Sequence, residues 1–145
     1  MKRRIGLLGL VLVIVLTLLL PGTTAFASPR TAMVELHAYN SLTGLYDGPM
    51  VGTLTVIVAT GPEGSTLLSG SVSGTTSGHS YALYLVRGSS LTIVDMAAYF
   101  DGADGTTNLN GVALSSKNPT RGQMFQVVDA TASAEFALSD PIVYK

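Results

Sequence analysis

Short runs rich in Val, Leu, Ile, Thr and Tyr recur along the chain, and each is bounded by Gly, Pro, Asn, Asp or Ser. Most runs alternate in polarity, which is the period of a β-strand with one buried face, and no helix signal appears after Leu20. The pattern predicts an all-β domain of about seven to eight antiparallel strands. The predicted strands are Thr31–Tyr39, Val51–Ala59, Thr66–Ser73, Ser80–Arg87, Leu91–Phe100, Asn108–Ser115, Gly122–Asp129 and Ala134–Tyr144.

A single antiparallel β-sandwich is the architecture that these short strands and turns favour, and a small β-barrel is the alternative. Pro141 interrupts the last run and marks an edge or a bend. The alternation also assigns the side chains of the core. The predicted core positions are Leu54, Val56, Val58, Leu68, Val72, Tyr81, Leu83, Leu85, Val94, Met96, Ala98, Phe100, Phe125 and Val127.

The first 27 residues predict a secretory signal peptide. Residues 2–4 are basic, Ile5–Leu20 is an apolar run, and Ala25–Ala27 carries small residues at the two positions that a signal peptidase reads. An uncleaved anchor helix is the alternative, although the apolar run is just shorter than the roughly 17–25 residues that span a bilayer. We expect cleavage before Ser28 and a secreted or extracellular protein, with the cell surface as a further location.

Residues 28–145 have the length of one domain and can bury a core without disulfides, which agrees with the absence of cysteine. This part holds five basic and nine acidic residues, which gives a formal net charge of −4, and it has no basic cluster. Nucleic acids and anionic membrane surfaces bind basic patches. The composition therefore argues against both as partners once the signal peptide is removed.

Some apolar side chains fall on the strand faces opposite the predicted core. A sheet with one face in water should be polar at these positions. Either some strands are covered on both faces, or the assigned register is off by one, or the residues form a surface for assembly or binding. The candidate interaction surface consists of Ile57, Tyr84, Val86, Leu91 and Ile93.

The two histidines of the domain do not form a recognisable site. His37 shares a strand face with Met33, Glu35 and Tyr39, and His79 lies in a Ser-Gly-His-Ser turn. Neither has a His or Cys at ligand spacing, so zinc or copper would need acidic partners from distant parts of the chain. We therefore expect ordinary surface histidines, no metal and no cofactor.

Two short motifs resemble functional ones but lack their context. Gly78–Ala82 is similar to a nucleophile elbow, but a turn precedes Ser80 and a strand follows it, whereas the elbow needs a strand before and a helix after. Asp101–Gly105 places Asp101 and Asp104 three residues apart. These residues are typical of a turn, and a weak calcium site is the alternative.

Three segments, Tyr81–Val86, Phe100–Thr106 and Gly122–Val128, resemble a pattern of secreted bacterial β-sandwich modules that are immunoglobulin-like or prealbumin-like. The pattern consists of a Y-x-L-Y-L strand, an acidic-glycine turn and a G-x-F-x-V strand. The resemblance covers roughly residues 50–130. It implies a sandwich, and it carries over no catalytic or binding residue.

The combined features favour a non-enzymatic extracellular module that acts in structural assembly or protein interaction, either with a protein partner or with itself. Strand addition at a sheet edge is one route, with Ser28–Asn40 as the donated or accepted strand. A module that binds glycan or peptide through exposed tyrosines is the alternative. An unrecognised hydrolase that combines His37 or His79 with distant acids comes third.

Overall fold

The structure is a computed structural model of the chain, and it describes residues 28–59, 65–114 and 118–145. The predicted signal peptide, residues 1–27, lies outside the described residues. Within the described part of the chain, no helix is long and apolar enough to cross a membrane.

Eight β-strands account for most of the described residues. They are β1 (Arg30–Ala38), β2 (Met50–Val58), β3 (Thr66–Thr75), β4 (Ser80–Arg87), β5 (Thr92–Asp101), β6 (Gly105–Ala113), β7 (Met124–Asp129) and β8 (Ala134–Ser139). Each corresponds to one predicted strand. The largest difference is at β8, which ends two residues before Pro141, because proline cannot donate a ladder hydrogen bond.

All eight strands belong to one curled antiparallel sheet with the order β5-β4-β7-β8-β1-β2-β3-β6. The prediction of an all-β domain with about seven to eight antiparallel strands is therefore confirmed, and the sandwich arrangement stays a prediction. The order places β5 and β6 at the two edges and β1 near the middle. β1 pairs with β2 over Arg30–His37 and with β8 at Leu36–Ala38 only.

The alternation of side chains decides which face of the sheet is buried. In β1, Ala32, Val34 and Leu36 are at most 2% exposed, whereas Met33 and Glu35 between them face solvent. The same period-2 pattern buries the predicted core residues of β2, β3, β4 and β7. One hydrophobic cluster includes residues from every strand, so the curled sheet encloses a single core.

An aromatic group closes one end of this core. The Tyr81 ring stacks on Phe100 at 5.4 Å between centroids and meets Phe136 edge-on at 5.2 Å. The buried Tyr81 hydroxyl accepts a hydrogen bond from the Thr76 amide at 3.0 Å, which satisfies its polar end. The chain passes so close here that a Cβ at Gly102 would lie 2.3 Å from the Thr76 carbonyl oxygen.

Two β-bulges in β5 change which of its side chains face outward. The pairing with β4 skips Ala97 and then Val94, so each of them is an extra residue without an opposite partner. Outward-facing side chains therefore recur at every third position: Ile93, Met96 and Tyr99. The prediction that Met96 belongs to the core is wrong, because the bulge turns Ala97 inward in its place.

Candidate functional site

The edge strand β5 carries an exposed apolar surface. Ile93, Met96 and Tyr99 are 59%, 38% and 57% exposed, and we call these three residues the edge stripe. Among the described residues, β5 pairs with β4 only, so its other side is an edge of the sheet. The strand contains no Lys or Pro, and of the features that commonly protect a sheet edge it has Asp95 and the two bulges.

The structure does not bring the five predicted surface residues together. Ile57 lies in β2, and three strands (β1, β8 and β7) separate it from β4. Val86 is fully buried and offers no surface, which fits the interpretation that β4 is covered on both faces. Tyr84 and Leu91 are half-buried, and Ile93 belongs to the edge stripe.

The loop between β1 and β2 packs against the outer face of the sheet through a polar cluster. The Tyr46 hydroxyl donates to Glu135, and the Nε2 group of the buried Gln126 donates to Tyr46 at 2.8 Å and to Glu135 at 2.7 Å. Burial and the adjacent Glu135 raise the pKa of Tyr46 well above its ordinary value of 10. The hydroxyl thus keeps its proton at physiological pH and remains a donor.

Beside this cluster lies an open groove of about 320 Å³. It separates the β1–β2 loop from the turn between β4 and β5, and its walls are mainly apolar. Its volume is at the lower end of the roughly 300–1,000 Å³ that small-molecule sites have, and its open shape leaves an occupant partly in solvent. Its lining residues are Gly44, Leu45, Tyr46, Gly88, Ser89, Leu91, Met124 and Leu138.

His79 is held by Asp129, a buried acid at the end of β7. Its Nδ1 atom lies 2.7 Å from Oδ2 of Asp129, and the other oxygen of Asp129 accepts from the Ala132 amide at 2.9 Å. Burial alone raises the pKa of Asp129, but these hydrogen bonds outweigh it and lower the pKa below the ordinary 3.8. The neighbouring Ser80 hydroxyl donates to Asp101 at 3.2 Å, so it is directed toward a carboxylate rather than toward an imidazole base.

His37 lies in a second and more exposed group. The ligand atoms of Glu35, His37 and Asp140 all lie within 4.8 Å of one another. Glu35 and His37 share the outer face of β1, and Asp140 follows β8, the strand paired with β1. The Asp140 amide donates to the Glu35 carbonyl at 2.9 Å, which fixes the two acidic residues side by side.

The Asp101–Gly105 segment links the two edge strands as a turn. The Asp104 carboxylate accepts from the Ser77 amide at 3.1 Å, and Asp101 accepts from Ser80. Gly105 has a φ of 91°, a value that side chains disfavour. These contacts agree with the interpretation as a turn, because each carboxylate holds a different neighbouring segment.

The sequence pattern indicates some of these groups but not their partners. His37 and Glu35 fall on one solvent-facing side of the first strand, whereas Asp140 joins them only through the β1–β8 pairing, which no local pattern shows. A strict period of two in β5 does not predict Met96 and Tyr99 as outward-facing residues, because the bulges break that period. No sequence motif indicates Gln126 or Glu135, because their hydrogen bonds to Tyr46 depend on where the β1–β2 loop packs.

Comparison of the chain with protein-family models, curated proteins and solved structures found no match. The resemblance to immunoglobulin-like or prealbumin-like modules therefore stays a prediction.

Proposed function

We propose that this chain is an exported, non-enzymatic β-module that associates with other protein through the open edge of β5. The observation that carries the proposal is the edge stripe, whose three apolar side chains are exposed on a strand at one end of the sheet order. An exposed edge with apolar side chains is a template for an added strand, and its main-chain groups supply most of the affinity. The segment of residues 1–27 supports export.

The occupant that the spacing favours is a second copy of the chain. An antiparallel pair of two β5 strands with its twofold axis at Met96 sets the edge stripe of one copy against that of the other, with Ile93 directed toward Tyr99. Pairs of an aromatic and a β-branched side chain stabilise a sheet by roughly 0.2–1 kcal/mol each. In a twofold-symmetric dimer, the contact between Ile93 and Tyr99 occurs twice, as contacts generally do in symmetric homodimers.

Two further considerations support a sandwich-like module without catalysis. The core contains residues from both halves of the strand order, β5-β4-β7-β8 and β1-β2-β3-β6. This favours a sandwich-like arrangement in which the inner faces of the two halves pack against each other. The hydroxyl of Ser80 donates to Asp101, which disfavours a Ser-His-Asp arrangement around His79.

The test is the solution mass of the purified protein, measured by size-exclusion chromatography with light scattering over a concentration series. We expect dimers that dissociate on dilution. Ile93→Lys should raise the dissociation constant by at least about tenfold, since a charged residue on an edge opposes strand addition. Ile57→Lys is the matched control, because it places the same charge on an interior strand, and it should leave the mass unchanged.

A protein that stays monomeric at every concentration contradicts association with a second copy. An equal effect of Ile93→Lys and Ile57→Lys also contradicts it, because the edge would then have no special role. Circular dichroism of both variants checks that each retains the β fold.

Glycan binding is a second candidate, and the exposed ring of Tyr99 favours it. Aromatic rings with a free face are suited to stacking against sugars, and Tyr99 is 57% exposed. A glycan array separates the candidates. Binding that Tyr99→Ala abolishes and Ile93→Lys preserves supports a sugar site, whereas a blank array counts against it.

A further inference from the structure

We propose that Glu35, His37 and Asp140 form a binding site for a divalent transition-metal ion of the zinc or copper class. This inference is independent of the proposed association through β5, because β1 and β8 lie in the middle of the strand order.

The backbone fixes the three positions before any ion binds. Residues two apart on a strand point to the same face, so Glu35 and His37 project together from β1. The β1–β8 register pairs Leu36 with Ser139, and the Asp140 amide donates to the Glu35 carbonyl at 2.9 Å. Three ligand atoms therefore come within 4.8 Å of one another. Small rotations of exposed side chains are enough to bring them around one ion.

The donor set indicates the class of metal. One imidazole nitrogen with two carboxylate oxygens suits zinc, copper, nickel or iron, whereas calcium and magnesium prefer oxygen ligands alone. Three protein ligands leave room for water, as in open zinc sites. The Asp140 side chain is 56% exposed and His37 is 34% exposed, so an ion can reach the group from solvent.

The charges and hydrogen bonds of the group distinguish it from an ordinary surface pair. Among residues 28–59, 65–114 and 118–145, neither Glu35 nor Asp140 forms an ion pair with Lys or Arg. His37 Nε2 lies 3.8 Å from Asp140 Oδ1, which is longer than a hydrogen bond. By contrast, His79 is held at 2.7 Å by Asp129. The His37 group thus offers a nitrogen and two carboxylates that no described cation neutralises.

The test is isothermal titration calorimetry, in which zinc chloride is added to the purified, untagged protein and the affinity and the number of bound ions are measured. We expect one ion per chain, and we expect His37→Gln to weaken binding by at least about 10–100-fold, the loss that even changes beyond the direct ligands produce. Asp140→Asn, at an exposed position, should weaken binding in the same direction. His79→Gln is the matched control and should bind zinc as the wild type does.

Histidine ring resonances in NMR spectra give a second readout within the unmutated protein. Zinc should shift the signals of His37 and leave those of His79 in place. The proposal is overturned if the wild type binds no zinc at micromolar to submillimolar concentrations. It is also overturned if His37→Gln binds with unchanged affinity, or if the zinc-dependent shifts fall on His79.

Discussion

The polar cluster that anchors the β1–β2 loop offers a sharp test of how the outer face is organised. Replacing Tyr46 with Phe removes one hydroxyl and keeps the ring. The change deletes the donor to the Glu135 carboxylate and the acceptor for Gln126 Nε2, while Gln126 keeps its 2.7 Å bond to Glu135. The perturbation therefore removes two hydrogen bonds.

The expected loss follows from the kinds of bond involved. A hydrogen bond to a charged partner contributes about 1.5–3 kcal/mol, and the partial exposure of this cluster places the total near the lower end, at about 1–2 kcal/mol. With urea slopes of roughly 1–3 kcal/mol per molar, the unfolding midpoint should fall by roughly 0.3–2 M. Equilibrium urea denaturation followed by circular dichroism measures this directly.

Tyr39→Phe is the matched control. The Tyr39 ring meets Tyr46 edge-on at 5.3 Å, and its hydroxyl forms no hydrogen bond within the described part of the chain. Its removal should change the free energy of unfolding by less than about 0.5 kcal/mol, as surface changes usually do. Equal losses for the two variants would refute the reasoning, because they would show that the Tyr46 hydroxyl adds nothing specific.

Three further outcomes follow from contacts in the fold. The lowered pKa of Asp129 gives stability that is present above about pH 4 and is lost as the pH falls through the native pKa. Asp129→Asn should therefore reduce the fall in the free energy of unfolding between about pH 6 and pH 2, measured by denaturation at each pH. An unchanged fall contradicts a contribution from Asp129. Gly102→Ala should destabilise the protein by at least about 1–3 kcal/mol, since its Cβ would meet the Thr76 carbonyl. Gly88→Ala, at a φ of 72° with open space around it, should destabilise the protein by only about 1–2 kcal/mol. If thermal melts show a larger loss of stability for Gly88→Ala than for Gly102→Ala, the steric argument is contradicted.

The period of the sequence predicted the fold well wherever strands are regular. In β2, Leu54, Val56 and Val58 alternate strictly, and all three are buried as expected. In β5 the two bulges break that period, so the predicted core position of Met96 was wrong. A bulge depends on the register with the paired strand, and the sequence of one strand alone does not indicate that register.

The candidate sites depended even more on distant pairing. His37 and Glu35 were recognisable as neighbours on one face, but Asp140 reaches them only because β8 pairs with β1. His79 meets Asp129 because the antiparallel register places Tyr81 opposite Asp129. The strand order decides both contacts, and eight short strands of similar composition allow many orders.

Disulfide trapping at the centre of the edge stripe tests the association through β5 most directly. The chain contains no cysteine, so Met96→Cys introduces a single thiol. Residues opposite each other in an antiparallel pair have Cα atoms about 4.5–5.5 Å apart, which is within the roughly 4.4–6.8 Å that a disulfide spans. Under mild oxidation, we expect Met96→Cys to form a covalent dimer that a reductant reverses, while Ile57→Cys remains monomeric. Failure of Met96→Cys to cross-link, or equal cross-linking of both variants, would contradict the pairing of two β5 edges.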